Sequence, residues 1–198
     1  MKKHFTLFFS ISTLVVNFAC FWYSDALLDR FFVFAVIPYG ISIIMLAQSL
    51  ILSVAFTIRY PSIIKNYIAL AISLITILLI FVFPFRTAKV KLELSLYGQD
   101  REQIVEMVKN GELVSDHIGN TELPKGYGRL SSDGSIFVYQ NDSEQVISFW
   151  VFRGMLSGSV QLIYSSQDER LIYKNETGHP ITSIIKLKEH WYLVKTDY

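Results

Sequence analysis

Three long stretches of this sequence contain no charged side chain and no histidine, and they constrain the fold more than any other feature. They cover residues 5–24, 31–58 and 66–85, and are 20, 28 and 20 residues long. About 20 apolar residues in an α-helix cross the hydrocarbon core of a bilayer, because a helix pairs its own backbone polar groups. The sequence therefore predicts three transmembrane helices, at about 5–24, 33–58 and 66–85.

The ionisable residues are concentrated in the rest of the chain. Residues 1–85 hold five of the 18 Lys and Arg and two of the 17 Asp and Glu. This distribution excludes an ordinary soluble enzyme, a disordered chain and a nucleic-acid-binding protein with a basic surface. We expect a three-helix membrane region, 1–85, followed by a water-soluble domain, 86–198.

The first two stretches carry local features with alternative interpretations. A cleaved signal peptide is not favoured for 5–24. The apolar core of a signal peptide usually has 7–15 residues and precedes a cleavage site of small residues, whereas this stretch has 20 residues and no such site follows it. Cys20 is either a lipid-modified cysteine or a buried thiol, and the preceding Asn17-Phe18-Ala19 is unlike a lipidation motif. In the second stretch, Pro38-Tyr39-Gly40 predicts a kink or a tilt in the first third of the span.

Polar residues inside the predicted spans are few: Asn17, Gln48 and scattered Ser and Thr. They either line a substrate path or form hydrogen bonds between neighbouring helices, and a helix bundle alone accounts for the second. An ion-coupled transporter places ionisable groups within the bilayer, and these stretches contain none. Transport by this chain alone is therefore not expected.

Charge counting does not decide the orientation. With the amino terminus inside, the inner bases are Lys2, Lys3, Arg59 and Lys65, and the outer ones are Arg30, Arg86, Lys89, Lys91 and Arg101. The first helix usually dominates, however, and long trailing domains translocate largely regardless of charge. We expect a plasma-membrane protein with a cytoplasmic amino terminus and an extracytoplasmic 86–198 domain.

The soluble half shows short-period patterns. Apolar and polar residues alternate from Ala88 to Leu96, which predicts a strand that leaves the membrane directly. After it, Asp100 with Gln103 resembles a capping box, which predicts a helix of about ten residues ending at Gly111. The segment 145–152 is apolar on both faces, which predicts a central strand. We expect an α+β domain, an antiparallel meander with one helix on one face, with further strands at 136–139, 159–164, 171–174, 181–188 and 191–195.

No motif for catalysis or metal binding stands out. The sequence has no phosphate loop, no nucleophile elbow and no paired Cys or His at metal spacing. His117, His179 and His190 are isolated in sequence, so we expect no metal site and no cofactor. A Ser, His and Asp assembly has members that are distant in sequence, so the pattern neither indicates nor excludes one.

Two groups of residues are candidate binding elements. Arg153 follows the apolar strand that contains Trp150, where it either grips an anion or a peptide carboxylate beside the aromatic face or pairs with an acid. Arg86, Lys89 and Lys91 follow the third span, and they either contact lipid headgroups or form a solvated face.

Several short motifs resemble those of a known group of proteins. They are Arg101-x-x-Ile104-Val105, Leu123-Pro124, Tyr127, Leu130-Ser131 with Gly134, Phe149-Trp150-x-Phe152-Arg153-Gly154 and Ile163-Tyr164-Ser165-Ser166. Residues 100–170 are thus similar to uncharacterised small membrane proteins of Gram-positive, Bacillus-like bacteria. The resemblance implies a bacterial plasma membrane and no particular activity.

The function expected from these patterns is binding or sensing by a membrane-tethered extracytoplasmic module with an accessory or regulatory role. Its partners would be the bilayer and a protein or envelope component, not nucleic acid. The alternative is an enzyme that acts on an envelope component through a site built from the turns of 86–198.

Overall fold

The computed structural model describes residues 5–114, 119–141, 144–153, 158–168, 172 and 180–197. The chain divides into two compact units, Met1–Arg86 and Thr87–Tyr198. Three helices are long and apolar enough to cross a membrane, as the sequence predicts. They are α1 (Phe5–Trp22), α3 (Val36–Arg59) and α4 (Ile64–Val82).

The connection between the first two spans is itself helical. A short helix α2 (Ser24–Phe31) and a 3-10 turn (Phe32–Ala35) lead into α3. Because α3 starts at Val36, Pro38 lies in its first turn, where a missing N–H costs no intrahelical hydrogen bond. The expected kink is therefore replaced by a change from 3-10 to α-helix just before the proline.

The three long helices bury polar residues and expose apolar ones, which is the reverse of a soluble bundle. Four serine hydroxyls meet at the centre: Ser10 Oγ lies 2.9 Å from Ser49 Oγ and 3.3 Å from Ser73 Oγ, and Ser49 Oγ lies 2.9 Å from Ser73 Oγ. Ser53 Oγ is 3.2 Å from Ser10 Oγ. Hydrogen bonding between helices thus accounts for these hydroxyls, and small side chains let the backbones approach closely.

The segment predicted as the first strand of the soluble half is helical, and that prediction is wrong. Helix α5 runs from Phe85 to Lys109, with one non-helical residue, Tyr97 (φ −120°, ψ 17°). Val90 and Leu94 are buried one turn apart, while Leu92 and Leu96 are exposed. The alternation therefore has a helical explanation in which only half of the apolar residues face inward.

The kink at Tyr97 lies just before the helix that the sequence predicts, and that predicted helix is the second half of α5. Its buried stripe contains Ile104, Val105 and Val108. Gly111 ends it with a positive φ of 72°, as expected for a helix C-terminus. Gln103 does not serve as a capping residue, because its Oε1 accepts a hydrogen bond from the Tyr127 hydroxyl at 2.8 Å.

Six antiparallel strands follow, in the spatial order β1-β2-β3-β4-β6-β5. The chain meanders through the first four strands, and the β5–β6 hairpin then pairs through β6. Five strands match predicted segments closely; β1 was not predicted, and the segment 171–174 lies outside the described residues apart from Ile172. The strands are β1 (Asn120–Glu122), β2 (Ser135–Asn141), β3 (Glu144–Phe152), β4 (Val160–Ser165), β5 (Ile181–Lys188) and β6 (Trp191–Thr196).

The sheet has two faces that are covered differently. Helix α5 lies on the face that carries Phe149 and Tyr164, since Arg101 Cζ is 6.0 Å from the Phe149 ring and Lys109 Nζ is 5.3 Å from the Tyr164 ring. We call this the helix face. The opposite face, here the second face, holds a smaller core of Val146, Ile163, Ile172, Tyr192 and Val194. The class is α+β, with β3 buried on both sides as predicted.

Candidate binding site on the C-terminal domain

A β-bulge at the end of β3 positions the predicted binding residues. Trp150 pairs with Gln161 and Phe152 pairs with Val160, so Val151 is an extra residue on β3. In a regular strand, residues three apart point to opposite faces, so Trp150 and Arg153 would be separated by the sheet. The extra residue turns Phe152 onto the helix face and brings Arg153 to the side of Trp150.

The structure brings Trp150 and Arg153 into contact. Arg153 Cζ lies 4.9 Å from the centre of the Trp150 ring. Arg153 Nη1 donates a hydrogen bond of 3.0 Å to Asp133 Oδ2, and the Arg153 side chain remains 61% exposed. The structure thus shows the second alternative, pairing with an acid, with the guanidinium also over the aromatic ring, and the binding of an anion or a peptide carboxylate stays a prediction.

Asp133 is held by its own turn. Its Oδ1 accepts hydrogen bonds from Ser135 N at 3.0 Å and from Ser135 Oγ at 2.9 Å. Partial burial raises the pKa of Asp133, but these hydrogen bonds and the Arg153 guanidinium outweigh burial, so its pKa lies below the usual value. Asp133 is therefore ionised at neutral pH and fixes one edge of the guanidinium.

The loop that carries Asp133 is tied directly to the end of β3. Trp150 N donates to Ser131 Oγ at 2.9 Å, and Ser132 N donates to the Trp150 carbonyl at 2.7 Å. These two bonds fix the backbone on both sides of the indole ring. The position of Trp150 is therefore set by backbone hydrogen bonds as well as by packing.

A second arginine in the same loop has nearly the same surroundings. Arg129 Cζ lies 4.9 Å from the Tyr97 ring, and Arg129 Nη2 donates to Asp100 Oδ2 at 2.7 Å. Its side chain is 60% exposed. The two arginine contacts hold the segment 123–134 between α5 and the end of β3.

Arg101 is a buried charged residue that the sequence patterns did not identify as a candidate site. Its Nη1 donates to the Glu93 carbonyl at 3.1 Å and its Nη2 donates to the Leu130 carbonyl at 3.4 Å. Burial lowers its pKa, and Glu93 counteracts this effect. Its helical spacing to Ile104, Val105 and Val108 is the signal that places it on the buried stripe.

The basic residues after the third span do not form one patch. Arg86 bonds to buried Asp25 through Nε at 3.0 Å and Nη2 at 2.6 Å, so its charge is paired within the membrane unit. A helix turns about 100° per residue, so Lys89 and Lys91 project from α5 about 200° apart. A strand would have placed both lysines on one face.

No metal centre is formed by the described residues, among which no three His, Cys, Asp or Glu side chains lie close enough to share an ion. His190 is fixed in a turn, with φ 62° and its Nδ1 2.9 Å from the Ser165 carbonyl. His117 and His179 lie outside the described residues. No protein-family model, curated protein or solved structure matches this chain.

Proposed function

We propose that this chain is a multi-pass plasma-membrane protein that presents residues 86–198 outside the cytoplasm as a binding module with an accessory or regulatory role. The observation that carries the proposal is the exposed Arg153 guanidinium, oriented by Trp150 and Asp133. The chemistry it suits is recognition of an anionic group, in the first place the terminal carboxylate of a peptide.

The first step of the argument concerns hydrogen-bond donors. A guanidinium has five N–H donors in a rigid fork that matches a carboxylate. Of the three guanidinium nitrogens of Arg153, only Nη1 has a hydrogen-bond partner among the described residues, and that partner is Asp133. The Nε and Nη2 donors thus remain for a ligand, and the side chain has already lost much of its freedom to the ring and the acid.

The second step concerns the surface beside the guanidinium. Trp150 lies half-buried on the second face, and the register places Gln161 opposite it. On the neighbouring strand β2, Phe137 pairs with the small Ser148, which lies two residues before Trp150 on the same face. The partly exposed rings of Phe137 and Trp150 therefore lie near each other. An apolar side chain next to a bound carboxylate would pack on these rings.

The experiment uses the full-length protein in lipid nanodiscs and a defined probe, N-acetyl-trialanine with a free carboxyl terminus. Isothermal titration is compared with the same peptide amidated at its carboxyl terminus. We expect binding of the free acid only. Arg153→Gln should weaken it at least tenfold, because charge-assisted bonds contribute about 1.5–3 kcal/mol, and Arg153→Lys should weaken it less.

Arg129→Gln is the matched control, because Arg129 has the same exposure, an aromatic ring at the same distance and an acidic partner. It should weaken binding much less than Arg153→Gln, because Arg129 only helps to hold the loop that carries Asp133. Equal binding of acid and amide, or equal losses in the two arginine variants, would contradict the proposal. Hydrolysis of the probe by the wild-type protein would favour the alternative, an envelope-acting enzyme.

A further inference from the structure

Gln48 is an unusual residue on the outer surface of the membrane helices. Outside the first and last turns of α1, α3 and α4, it is the one polar side chain that the described residues leave exposed. It lies about 18 Å along the helix axis from Val36 and about 16 Å from Arg59, which is near mid-membrane. No hydrogen bond to its side-chain amide is found among the described residues.

An unpaired amide at this depth is costly. Lipid tails offer no hydrogen-bond partner, so an exposed amide in hydrocarbon loses its bonds to water without replacement. By contrast, the mid-span serines Ser10, Ser49, Ser53 and Ser73 are buried and bonded to one another. A partner from outside this chain would supply the hydrogen bonds that Gln48 lacks among the described residues.

The residues around Gln48 form a continuous seam. Exposed side chains recur at alternating spacings of three and four along α3, the spacing of the contact positions in a coiled coil. The four isoleucines in this set are 53–77% exposed. The α3 seam consists of Ile41, Ile44, Gln48, Ile51, Ala55 and Ile58.

We propose that the α3 seam is the contact between this chain and a second copy of itself, with the Gln48 amides paired across the interface. All copies of a membrane protein insert with the same orientation, so Gln48 of each copy lies at the same depth. A carboxamide has both a donor and an acceptor, so two of them are complementary across a two-fold axis. A single polar residue within an apolar seam also sets the register of the pair.

The test is disulfide crosslinking of the full-length protein in native membranes, with Cys20→Ser to remove the natural thiol. Ile44→Cys lies on the seam, and Ile43→Cys is its control, because the adjacent residue is equally exposed (57% against 58%) but points about 100° away. We expect a crosslinked species of twice the chain mass from Ile44→Cys only.

A second measurement isolates the amide. Gln48→Leu makes α3 more apolar and should still insert, but we expect association to weaken about tenfold in a dilution series in bilayers, since interhelical hydrogen bonds contribute modestly each. Equal crosslinking at both positions, no crosslink to a second copy, a crosslinked species of another mass, or unchanged association of Gln48→Leu would each overturn the proposal.

Discussion

At the residue scale, Arg101 is the clearest case of a charge whose role is structural. It is 2% exposed, and its guanidinium serves two backbone carbonyls, one of them on the turn of α5 before the kink at Tyr97. Arg101→Ala would remove the guanidinium donor from both of those carbonyls. We expect the free energy of unfolding of the C-terminal domain to fall by about 2–4 kcal/mol.

Chemical unfolding of the full-length protein in detergent, followed by tryptophan fluorescence, measures this loss, because Trp191 is buried in the same domain. Arg129→Ala is the control: it removes an arginine that also bonds to a neighbour, but at the surface, so its effect should be clearly smaller. If the two variants lost equal stability, the buried bonds of Arg101 would not be its main contribution.

At the element scale, Gly158, just before β4, lies so close to the end of β6 that it has no room for a side chain. A Cβ added at Gly158 would overlap the backbone carbonyl oxygen of Thr196, next to the hydrogen bond of 3.0 Å from Thr196 N to the Ser159 carbonyl. Gly158→Ala should therefore push the two strands apart and cost about 1–3 kcal/mol.

Gly128→Ala is the matched change, because a Cβ at Gly128 would meet nothing within 4 Å. Its effect should stay within about 0.5 kcal/mol. Both variants are compared by thermal unfolding of the full chain. A Gly158→Ala protein as stable as Gly128→Ala would mean that the two strands separate without cost.

At the scale of the whole molecule, the proposed topology of three spans puts the amino terminus and residues 86–198 on opposite sides of the membrane. With Cys20→Ser as background, Lys125→Cys in an exposed loop of the domain should react with a membrane-impermeant maleimide in intact cells. Ser62→Cys, in the exposed connection between α3 and α4, should react only after permeabilisation.

The opposite labelling pattern would move the domain to the cytoplasm. It would also place Arg86, Lys89 and Lys91 on the cytoplasmic side, where the positive-inside rule expects basic residues close to a span. Cell-surface labelling of both cysteines would contradict three spans altogether. Each result therefore assigns a side to the domain or revises the number of spans.

Sequence alone determined the features that depend on local chemistry repeated over many residues. The three spans follow from the absence of charge over about 20 positions, and the strands β2 to β6 follow from alternation and turn residues. A span meets lipid along its whole length, and a strand turns successive residues to its two faces, so both leave a pattern that repeats along the segment.

Only the tertiary structure decided the features that depend on which neighbour a residue meets. The alternation in 88–96 has the period of a strand, yet the segment is part of α5, which buries Val90 and Leu94 one turn apart and exposes Leu92 and Leu96. The contact of Arg153 with Trp150 needs a bulge whose extra residue has no sequence signal. Ser10, Ser49 and Ser73 meet only because three helices, distant in sequence, pack together.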